Sequence, residues 1–593
     1  MKHASLEHEP SDLIAGEWIP LKAGPGSIRS VNPSHPERTV WEGRPEVAHV
    51  DRAVAAAREA LPAWRAMGLD GRARVLRRFQ RLAADSVAKV TDLICDETGK
   101  VLWDSKAEAG LLAPKIDITL DDSTNSGLAR VTGFETPLTD SRDGRCWFRG
   151  HGVMAVLGPF NFPAHLPNGH IAPALLMGNT IVLKPSDKTP GVGQMLAELY
   201  QQACREEGAP PGVVNLVQGA AEVAKTLVGH RDIDGVLFTG SWPVGRAITA
   251  ANLDRPGRIL ALEMGGNNAA VVMPDCDLRQ AVVECVRCAF ITTGQRCTCT
   301  RRIIVHEAIA PRFIAALCKA ASNLVVGDPR SEHPVFMGPI IRGEARDAVH
   351  AAQAQFMVGG GEILVESTRF EGGPGSPGAP SPDGFYLTPG VVKVERFTPE
   401  QPGPSGGDAG CDTEVFGPIV RISVTDSLGD AIEQANATAF GLAASIFTSD
   451  EKSVARFLDE ARAGCVNVNA GTAGASSKLP FGGLGRSGNH RPAGAFSLDY
   501  CAYPVAGMME RGGACVVSPG MRVEDGWVAW RAAHEAAWRW LEVVSAVYSR
   551  AHHCHPECVK YLSYAGRVVA VRDQPWSTKW RRCISTFRCP TRA

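Results

Sequence analysis

The first long pattern in the chain is amphipathic and runs from about Val47 to Ile94. Apolar side chains recur there at steps of three and four residues, with arginines between them: Val75, Leu76, Phe79, Leu82, Ala83, Val87 and Val90. This spacing puts the apolar side chains on one face and predicts helical structure packed against a core. Gly99 interrupts the pattern and predicts a helix end. Upstream, segments 14–19 and 31–33 predict short strands and turns.

Downstream of Val153, short apolar runs alternate with helix-compatible segments. The runs that predict buried strands are 153–157, 180–183, 213–217 and 236–238, and the segments that predict helices between them are 192–207 and 221–228. A second series of the same kind extends from about 269 to 468 and includes the runs 302–305, 419–424 and 443–447. Strand, helix, strand at this spacing is typical of parallel sheets, so the pattern predicts an α/β protein.

Composition narrows the functional class. A chain of 593 residues, 44% of them apolar, can bury large cores, and its length favours three or four domains. A net charge of −1 gives no electrostatic footprint for nucleic acid or an anionic membrane. No apolar run approaches the roughly 18 to 20 residues that span a bilayer. The polar N-terminus and seventeen scattered cysteines predict a reduced, cytoplasmic protein without a secretory signal.

Three segments depart in composition from the rest. Residues 371–382 and 399–410 are rich in Gly, Pro and Ser, which predicts surface insertions. Residues 525–593 hold six of the twelve tryptophans and eleven Lys or Arg against five Asp or Glu. Residues 552–558 of this tail, with Cys583 and Cys589, are a weak candidate zinc site, since the spacing matches no standard finger. A disordered appendage or a translated shifted frame is the favoured interpretation of the tail.

A thiol and a carboxylate, 34 positions apart, lie in two glycine-containing segments. Glu263 belongs to segment 262–268, and Cys297 belongs to segment 293–299. An ionised cysteine is the most nucleophilic ordinary side chain, and a nearby carboxylate can take a proton from water. The pair therefore suits a reaction that forms a thioester and then hydrolyses it.

The cysteines near this segment call for different interpretations. Cys285 and Cys288 fall on an apolar helical stretch and are expected to pack as small hydrophobic side chains. Cys297 follows residues that break the helix, and we expect the adjacent Arg296 to favour its thiolate. Cys299 is either a packing residue, which we favour, or a redox partner of Cys297.

Asn161 lies in a turn, Gly158 to Pro163, that follows a predicted strand and is fixed by prolines on both sides. A rigidly held amide can stabilise an oxyanion. The alternative, favoured when the turn is considered alone, is a structural Asn that caps a helix.

Two further strand ends are candidates for a nucleotide site. Lys184 and Asp187 follow one strand and could bind ribose hydroxyls, and the carboxylate would favour NAD over NADP by repelling a 2′-phosphate. Gly240 and Gly245 follow another and would let backbone approach a pyrophosphate at a helix N-terminus. Both segments have a structural alternative, a solvated loop for the first and an ordinary tight turn for the second.

Taken together, these motifs resemble the aldehyde dehydrogenase superfamily from about Ile14 to Glu524. The likeness rests on five motifs in the family's order, with the family's Glu-to-Cys spacing, and the fifth is segment 414–418. Asn436, Gly441-Leu442 and segment 480–483 also match the family pattern.

The resemblance implies a role for each motif. Cys297 would be the nucleophile, Asn161 and the Cys297 backbone N–H would hold the oxyanion, and Glu263 would activate water. The cofactor would be NAD, and no metal is expected. The cofactor-binding residues implied are Lys184, Asp187, Gly240, Ser241, Trp242, Pro243, Val244, Gly245, Glu414 and Phe416.

The implied fold is aldehyde dehydrogenase-like, with two open α/β domains and a small β arm. The expected Rossmann-like NAD-binding domain comprises residues 12–130 and 151–265, and the catalytic domain comprises residues 266–480. The arm, residues 131–150 and 487–510, would join copies into a homodimer or homotetramer. Residues 525–593 have no counterpart in the family. The expected partner is a small-molecule aldehyde, with neither nucleic acid nor membrane.

Within the superfamily, segments 161–171, 263–268, 294–299, 487–492 and 499–501 resemble the subgroup that oxidises an N-succinylated glutamate semialdehyde in bacterial arginine catabolism. Asp187 replaces the Glu usual there, and Trp242-Pro243 replaces small residues. The candidates for contact with the substrate carboxylates are His165, Arg296, His490 and Arg491.

Three alternatives stay open at this point. The first is an enzyme that acts on another semialdehyde or an aliphatic aldehyde, and the second is a catalytically silent scaffold on the same fold. A CoA-acylating enzyme is disfavoured, because Glu263 supplies a hydrolytic base.

Overall fold

A computed structural model of the protein describes residues 3–124, 126–358, 360–370, 378, 380–399, 409–490, 492–511, 517–522 and 539. The chain divides into two units, Met1–Met509 and Glu510–Ala593, and the elements given below lie in the first, apart from Glu510. Most of the two predicted insertions and nearly all of the 525–593 tail, with its candidate zinc site, lie outside the described residues. Within the described part, no helix is long and apolar enough to cross a bilayer.

The strands, in chain order, are β1 (Ser11–Ile14), β2 (Glu17–Pro20), β3 (Ile28–Asn32), β4 (His35–Gly43), β5 (Phe134–Thr139), β6 (Arg142–Gly150), β7 (Val153–Leu157), β8 (Thr180–Lys184), β9 (Val214–Leu216), β10 (Gly235–Thr239), β11 (Ile259–Glu263), β12 (Asn268–Val272), β13 (Thr300–His306), β14 (Glu362–Val365), β15 (Gly390–Lys393), β16 (Ile419–Thr425), β17 (Phe440–Gly441), β18 (Ala443–Phe447), β19 (Cys465–Val468), β20 (Pro480–Phe481), β21 (Leu484–Gly485), β22 (Ala493–Gly494) and β23 (Ala502–Glu510). The α-helices are α1 (His49–Ala66), α2 (Gly68–Asp85), α3 (Val87–Thr98), α4 (Leu102–Ala109), α5 (Leu112–Leu120), α6 (Gly127–Arg130), α7 (His165–Leu176), α8 (Pro190–Glu206), α9 (Ala221–Gly229), α10 (Trp242–Ala250), α11 (Leu278–Phe290), α12 (Ala310–Ser322), α13 (Gly343–Val358), α14 (Leu428–Ala435) and α15 (Glu451–Glu460). Two 3₁₀ turns cover Ile291–Gly294 and Ala409–Cys411.

The predicted amphipathic stretch is helical throughout but is divided into α1, α2 and α3. The divisions fall at Gly68, which has a φ of +67°, and at Ser86, whose φ and ψ are −99° and 5°. The hydrophobic period continues through both breaks, so the pattern alone does not reveal them. Gly99 ends α3 in the left-handed conformation, with a φ of +71°, as predicted.

Among the described residues, seven strands form the first sheet, in the order β11-β10-β7-β8-β9-β1-β2. Strands β11 through β9 are parallel, and β1 and β2 extend that edge as an antiparallel hairpin. The chain runs outward from β7 to β8 and β9, then returns to place β10 on the other side of β7. The strand order therefore reverses between β7 and β10, and ligands of open α/β sheets bind at the carboxyl ends of strands beside such a point.

The second sheet, also of seven strands within the described part, has the order β14-β15-β16-β13-β12-β18-β19. Its strands are parallel except for β14. The chain crosses from the first sheet to the second between Glu263, the last residue of β11, and Asn268, the first residue of β12. Both sheets match the mixed α/β class predicted from the sequence.

Each sheet is covered on both faces. In β7, Met154 and Val156 pack into a core with α2, α5, α7 and α8, whereas Val153, Ala155 and Leu157 pack into a second core with α1, α9 and α10. Strand β12 divides its side chains in the same way between two cores. Burial on both faces explains why these strands are continuous apolar runs.

Strands β23, β6 and β5 form a separate three-stranded sheet within the predicted arm. Strand β5 is exposed along its whole length, and large apolar side chains on the sheet face solvent, including Phe134 and Met508 at 61% and 73% exposure.

Candidate active site

A cavity of about 1320 Å³ opens at the carboxyl ends of β7, β8, β10 and β11, beside the reversal point. The predicted site residues that line it are Asn161, Lys184, Asp187, Gly240, Ser241, Pro243, Val244, Glu263, Cys297, Glu414 and Phe416. Trp242 and Gly245 do not line it. The fold thus brings together residues that span some 255 positions of the sequence, including the thiol and the carboxylate.

Glu263 is held at the end of β11 by a segment near the C-terminal end of the described chain. Residue 263 forms an antiparallel bridge with Gly488. The side chain of Asn489 accepts from the Leu262 N–H at 2.8 Å and donates to the Leu260 carbonyl at 2.8 Å. The Ser487 hydroxyl donates to the Gly265 carbonyl at 2.7 Å. Segment 487–489, noted in the sequence only as a likeness, therefore fixes the strand end that carries the carboxylate.

Cys297 follows a backbone turn of unusual conformation. Helix α11 ends at Phe290, and Thr292, Thr293 and Gly294 then have φ values of +53°, +55° and +71°. Positive φ is unfavourable for a β-branched residue, and strain of this kind persists where surrounding contacts over-determine it. Here the Thr292 hydroxyl donates to Asp104 at 2.6 Å, and the Thr293 hydroxyl donates to the Gly338 carbonyl at 2.8 Å.

Two side chains hold the loop from outside. The buried guanidinium of Arg301 donates to the carbonyls of Gly294 at 2.7 Å and Arg296 at 3.0 Å. The Asn268 amide donates to the carbonyls of Cys297 and Cys299, each at 2.8 Å. Asn268 begins β12, so the same short connection that carries Glu263 also anchors the thiol loop.

Gly266 is required where these segments meet. A Cβ at this position would lie 2.7 Å from the Cys297 carbonyl oxygen and 2.5 Å from the Asn268 side-chain oxygen. Neither atom can move without shifting the loop. Gly266 therefore permits the close approach of the connection between the sheets and the loop that carries Cys297, a role that suits a residue without a side chain.

The surroundings of Cys297 differ from the prediction. Burial raises the pKa of its thiol, and the carboxylates of Glu263 and Glu414 raise that pKa further. Arg296 does not favour the thiolate, because its guanidinium pairs with Asp104 at 2.7 Å and lies over the Phe162 ring. The expectation that Arg296 activates the thiol was wrong, since adjacency in sequence does not fix where a long side chain points.

Asn161 is buried and linked to the thiol loop. Its amide donates one N–H to the Gln295 carbonyl at 3.0 Å, two residues before Cys297. Asn161 is not the cap of α7, because the N-cap residue is Ala164 and the N–H groups of Ala164 and His165 donate to the Glu108 carboxylate at 3.0 and 3.2 Å. Within the described part of the chain, the bond to the Gln295 carbonyl is the one hydrogen bond of the Asn161 amide nitrogen, and Asn161 lines the cavity.

At the other end of the cavity, Lys184 and Asp187 follow β8. Lys184 is only 6% exposed, and its ammonium donates to the Pro185 and Gly219 carbonyls, the latter at 2.7 Å. Burial lowers the pKa of Lys184 to about 8. The structural alternative for this segment, a solvated loop, therefore does not describe Lys184.

The charge environment of Asp187 weakens one sequence argument. Its carboxylate pairs with Lys188 at 3.3 Å and with Arg342 at 3.4 Å. Two cations therefore offset the carboxylate that was expected to repel a 2′-phosphate. Arg342 lies 155 positions away in sequence, so no local pattern indicates this contact.

The Gly240–Gly245 turn connects β10 to α10. Ser241 is the N-cap, Pro243 is in the first turn, and Ser241, Pro243 and Val244 face the cavity. The N-terminus of α10 therefore presents its partial positive charge near the cavity. Trp242 instead packs beside Arg486, with 5.7 Å between guanidinium and ring, so its bulk does not enter the cavity.

Glu414 and Phe416 form the wall next to the thiol. The partly buried Glu414 carboxylate accepts from the Gly266 N–H at 3.0 Å. Burial raises its pKa to about 7, a shift that Arg301 partly opposes. Phe416 meets Phe160 edge to face at 5.8 Å. A second acid thus lies against the turn that carries Glu263.

The remaining candidates separate into two groups. His165 and Arg296 line the cavity, whereas His490 is exposed and does not line it, and Arg491 lies outside the described residues. Cys285 and Cys288 are fully buried, as predicted. Cys299 is also buried, with its thiol 3.7 Å from the Ile291 carbonyl, which supports a packing role.

Sequence reasoning missed three charged residues near the cavity. Asp104 and Arg301 hold the thiol loop, and nothing in their local sequence indicates it. Lys115, on α5, also lines the cavity. The sequence does contain a signal for Lys115, because this charged residue falls on the buried face of α5 with Leu112 and Ile116.

Comparison with known proteins agrees with this geometry. The model of the aldehyde dehydrogenase family matches residues 18–504. The chain is 40% identical over 492 residues to N-succinylglutamate 5-semialdehyde dehydrogenase of Sphingopyxis alaskensis, a match that covers 82% of this chain and 95% of that protein. It is 42% identical over 503 residues to N-succinylglutamate 5-semialdehyde dehydrogenase 2 of Caulobacter vibrioides, covering 83% and 95%.

Solved structures show the same fold. A putative aldehyde dehydrogenase from Burkholderia cenocepacia superposes with a TM-score of 0.78 at 28% identity, covering 87% of this chain and all of that one. Betaine aldehyde dehydrogenase from Staphylococcus aureus, solved in complex with NAD+, gives a TM-score of 0.78 at 25% identity, covering 87% and 99%.

Proposed function

The chain belongs to the aldehyde dehydrogenase family, and from this premise we propose that it oxidises N-succinylglutamate 5-semialdehyde to N-succinylglutamate with NAD. The observation that carries the reaction class is the convergence of Cys297, Glu263 and Asn161 on one cavity. The names of relatives at about 40% identity over most of the chain support the substrate.

The coenzyme end of the cavity suits NAD. The cavity lies where the strand order reverses, and the N-terminus of α10 can face a pyrophosphate. A Cβ at Gly240 would collide with Phe238, and a Cβ at Gly245 would collide with Met264. The two glycines therefore allow a compact turn whose backbone can approach a ligand closely. We assign the adenine ribose to Lys184 and Asp187 and the pyrophosphate to Gly240–Gly245.

The nicotinamide end is assigned to Glu414 and Phe416, which line the cavity beside Cys297. When bound, NAD supplies the hydride acceptor for the oxidation and a positive ring charge that favours an adjacent thiolate. The betaine aldehyde dehydrogenase that was solved in complex with NAD+ has this fold, and this likeness supports NAD as the coenzyme.

In the first half of the reaction, the thiolate of Cys297 attacks the aldehyde carbon. A C–S bond forms and the carbonyl oxygen becomes an oxyanion. The Asn161 amide and the backbone N–H of Cys297 would donate to that charge and stabilise it, and loss of one such donor typically costs about 10²–10³ in rate. The hydrogen bond to the Gln295 carbonyl holds the amide toward this position. Departure of a hydride from the former aldehyde carbon, for which NAD would be the acceptor, leaves a thioester on Cys297.

In the second half, Glu263 acts on this thioester. Its buried carboxylate would take a proton from water, and the hydroxide equivalent adds to the thioester carbon and expels the Cys297 thiolate. The product is a carboxylic acid. The bridge to Gly488 and the bonds of Ser487 and Asn489 hold the strand end that presents this base.

Two measurements test the proposal. Replacement of Cys297 by alanine should abolish NADH formation, and wild-type turnover in that variant would refute the assignment of the nucleophile. The wild-type enzyme should prefer N-succinylglutamate 5-semialdehyde to an uncharged aldehyde in kcat/KM. Equal kcat/KM values would refute the assignment of this substrate and would favour the alternative, an enzyme that acts on another semialdehyde or an aliphatic aldehyde. Absence of both NADH formation and NAD binding would favour a silent scaffold.

We also propose a homodimer or homotetramer that assembles through the arm of strands β5, β6 and β23. Solvent-facing apolar side chains on this sheet, Phe134, Leu138 and Met508 among them, support this assembly. Light scattering of the purified protein tests it. Localisation in the cytoplasm stays a prediction, supported by free cysteines among the described residues.

A further inference from the structure

A buried cation lies in the wall of the active-site cavity without an anionic partner. Lys115 is 3% exposed. Its ammonium donates to the Gly494 carbonyl at 3.0 Å and to the Ser497 hydroxyl at 2.8 Å. Among the described residues no carboxylate pairs with it, and burial lowers its pKa to about 8. Two neutral acceptors leave a buried positive charge uncompensated, which is unfavourable unless a ligand supplies the counter-charge.

Beside Lys115 lies a second polar atom that lacks a partner within the described part of the chain. The Nδ1 atom of His165 is buried and makes no hydrogen bond there. Burial and the charges of Lys115 and Lys100 lower the pKa of His165 to about 4, so its ring is neutral at physiological pH. A neutral imidazole can donate one hydrogen bond to an anion.

The space next to these two groups is small, and polar side chains lie among a mostly apolar lining. A recess of about 30 Å³ is lined by Lys115, His165, Gly169, Ser477 and Gly494, among others. Lys115, His165 and Ser477 also line the large cavity that contains Cys297. On this measure of volume the recess holds about two water molecules, which is comparable to a carboxylate group. Gly169 contributes room, since a Cβ there would meet nothing within 4 Å.

We propose that Lys115 and His165 form a subsite that binds a carboxylate of the substrate, away from the aldehyde carbon. The inference rests on the proposed function, because N-succinylglutamate 5-semialdehyde carries an α-carboxylate and a terminal succinyl carboxylate. Its chemistry is a charge-assisted hydrogen bond from the ammonium, supplemented by the imidazole and the Ser477 hydroxyl. Binding the carboxylate neutralises the buried ammonium, so the aldehyde that carries it binds better than an uncharged one.

The test compares kcat/KM for N-succinylglutamate 5-semialdehyde with kcat/KM for butanal in wild type, Lys115→Met and Lys115→Arg. The ratio should fall about 10- to 100-fold in Lys115→Met, the loss expected for a hydrogen bond to a charged group. Lys115→Arg should recover most of it. The matched control is Lys393→Met, which replaces a partly exposed lysine on β15, next to the edge strand β14, and it should leave the ratio unchanged. Binding of the product N-succinylglutamate, measured by calorimetry, should weaken by a similar factor.

Each outcome has a distinct meaning. If wild type prefers the succinylated substrate and Lys115→Met keeps the full preference, the subsite is wrong and the proposed function stands. If wild type prefers succinate semialdehyde instead and Lys115→Met loses that preference, the subsite stands and the substrate is wrong. If wild type prefers neither carboxylated aldehyde, both fail. N-acetylglutamate 5-semialdehyde, which lacks the succinyl carboxylate, distinguishes the two carboxylates, because its ratio falls in Lys115→Met only if the α-carboxylate is bound.

A purely structural role for Lys115 predicts a different result. Loss of its bonds to Gly494 and Ser497 alone would lower kcat/KM for both aldehydes by the same factor, which would overturn the proposal. If Lys115→Met does not fold, as judged by circular dichroism, His165→Leu decides the question, since it leaves those bonds intact. The ratio should then fall about threefold to tenfold, and an unchanged ratio would refute the subsite.

Discussion

Replacement of Glu263 by glutamine should separate the two halves of the reaction. The carboxylate is 3% exposed at the end of β11, and glutamine preserves its size but cannot take a proton. General base catalysis contributes about 10²–10⁴ in rate. Steady-state turnover should therefore fall by that factor, which corresponds to about 3–5 kcal/mol of activation free energy.

The first half of the reaction should not slow, because glutamine removes the negative charge of Glu263 from the surroundings of the Cys297 thiol. Burial is the largest cause of the raised pKa of the Cys297 thiol, and the carboxylate of Glu263 is the next largest. Loss of this carboxylate should therefore lower that pKa and increase the thiolate fraction at neutral pH. Stopped-flow absorbance should show a burst of about one NADH per active site followed by a slow phase. The pH midpoint of alkylation by iodoacetamide should also move to lower pH than in wild type.

These two readouts can contradict the reasoning separately. An unchanged steady state would show that Glu263 is not the base of deacylation. A midpoint that stays fixed or moves to higher pH would show that the carboxylate does not act on the sulfur. Glu332→Gln, at an exposed position, is the control and should behave as wild type in both assays.

Three further predictions follow from contacts in the site. Arg342→Ser should weaken NADP+ binding about threefold to tenfold relative to NAD+ in a fluorescence titration, because it removes one of the cations that offset Asp187; an unchanged ratio would exclude this role. Gly266→Ala should lower kcat about 100-fold, since its Cβ would press on the Cys297 carbonyl; wild-type kcat would contradict the geometry. Asp104→Asn should destabilise the fold by about 3 kcal/mol in urea unfolding, as it breaks a buried ion pair. The pKa of Asp104 is lowered in the fold, so wild type should lose this advantage on acidification below about pH 4, and a difference that persists in acid would refute it.

The strands of both sheets were the most predictable part of the fold. Runs 153–157 and 443–447 coincide with β7 and β18, because a strand buried on both faces is a continuous apolar run with sharp polar ends. The breaks at Gly68 and Ser86 were not predicted, since the apolar face of the helices continues across them. The hydrophobic pattern reports which side faces the core, and it is insensitive to a change of helix axis.

In the site, the residues at strand ends were predictable and their electrostatics were not. Asn161, Lys184 and the turn after β10 lie at or just after the ends of predicted strands, and carboxyl ends of parallel strands meet at one edge of a sheet. The strand β11, which ends at Glu263, was not predicted. Arg296 was assigned to its sequence neighbour, but its long side chain reaches Asp104 instead. Pairing partners of long charged side chains depend on tertiary packing, which no local pattern encodes.

The connection between the two sheets explains why the glycines of this motif lie where they do. Glu263 ends the first sheet and Asn268 begins the second, so residues 264–267 limit how far the proposed base can lie from the strand that anchors the thiol loop. Within this connection the Gly266 N–H binds Glu414, and its missing side chain admits the Cys297 carbonyl. Any residue with a Cβ at this position would force the Cys297 carbonyl or the Asn268 side chain to shift. We therefore expect a longer connection to separate Glu263 from Cys297 and to lower activity even if both side chains are kept, and wild-type turnover in such a variant would contradict this reasoning.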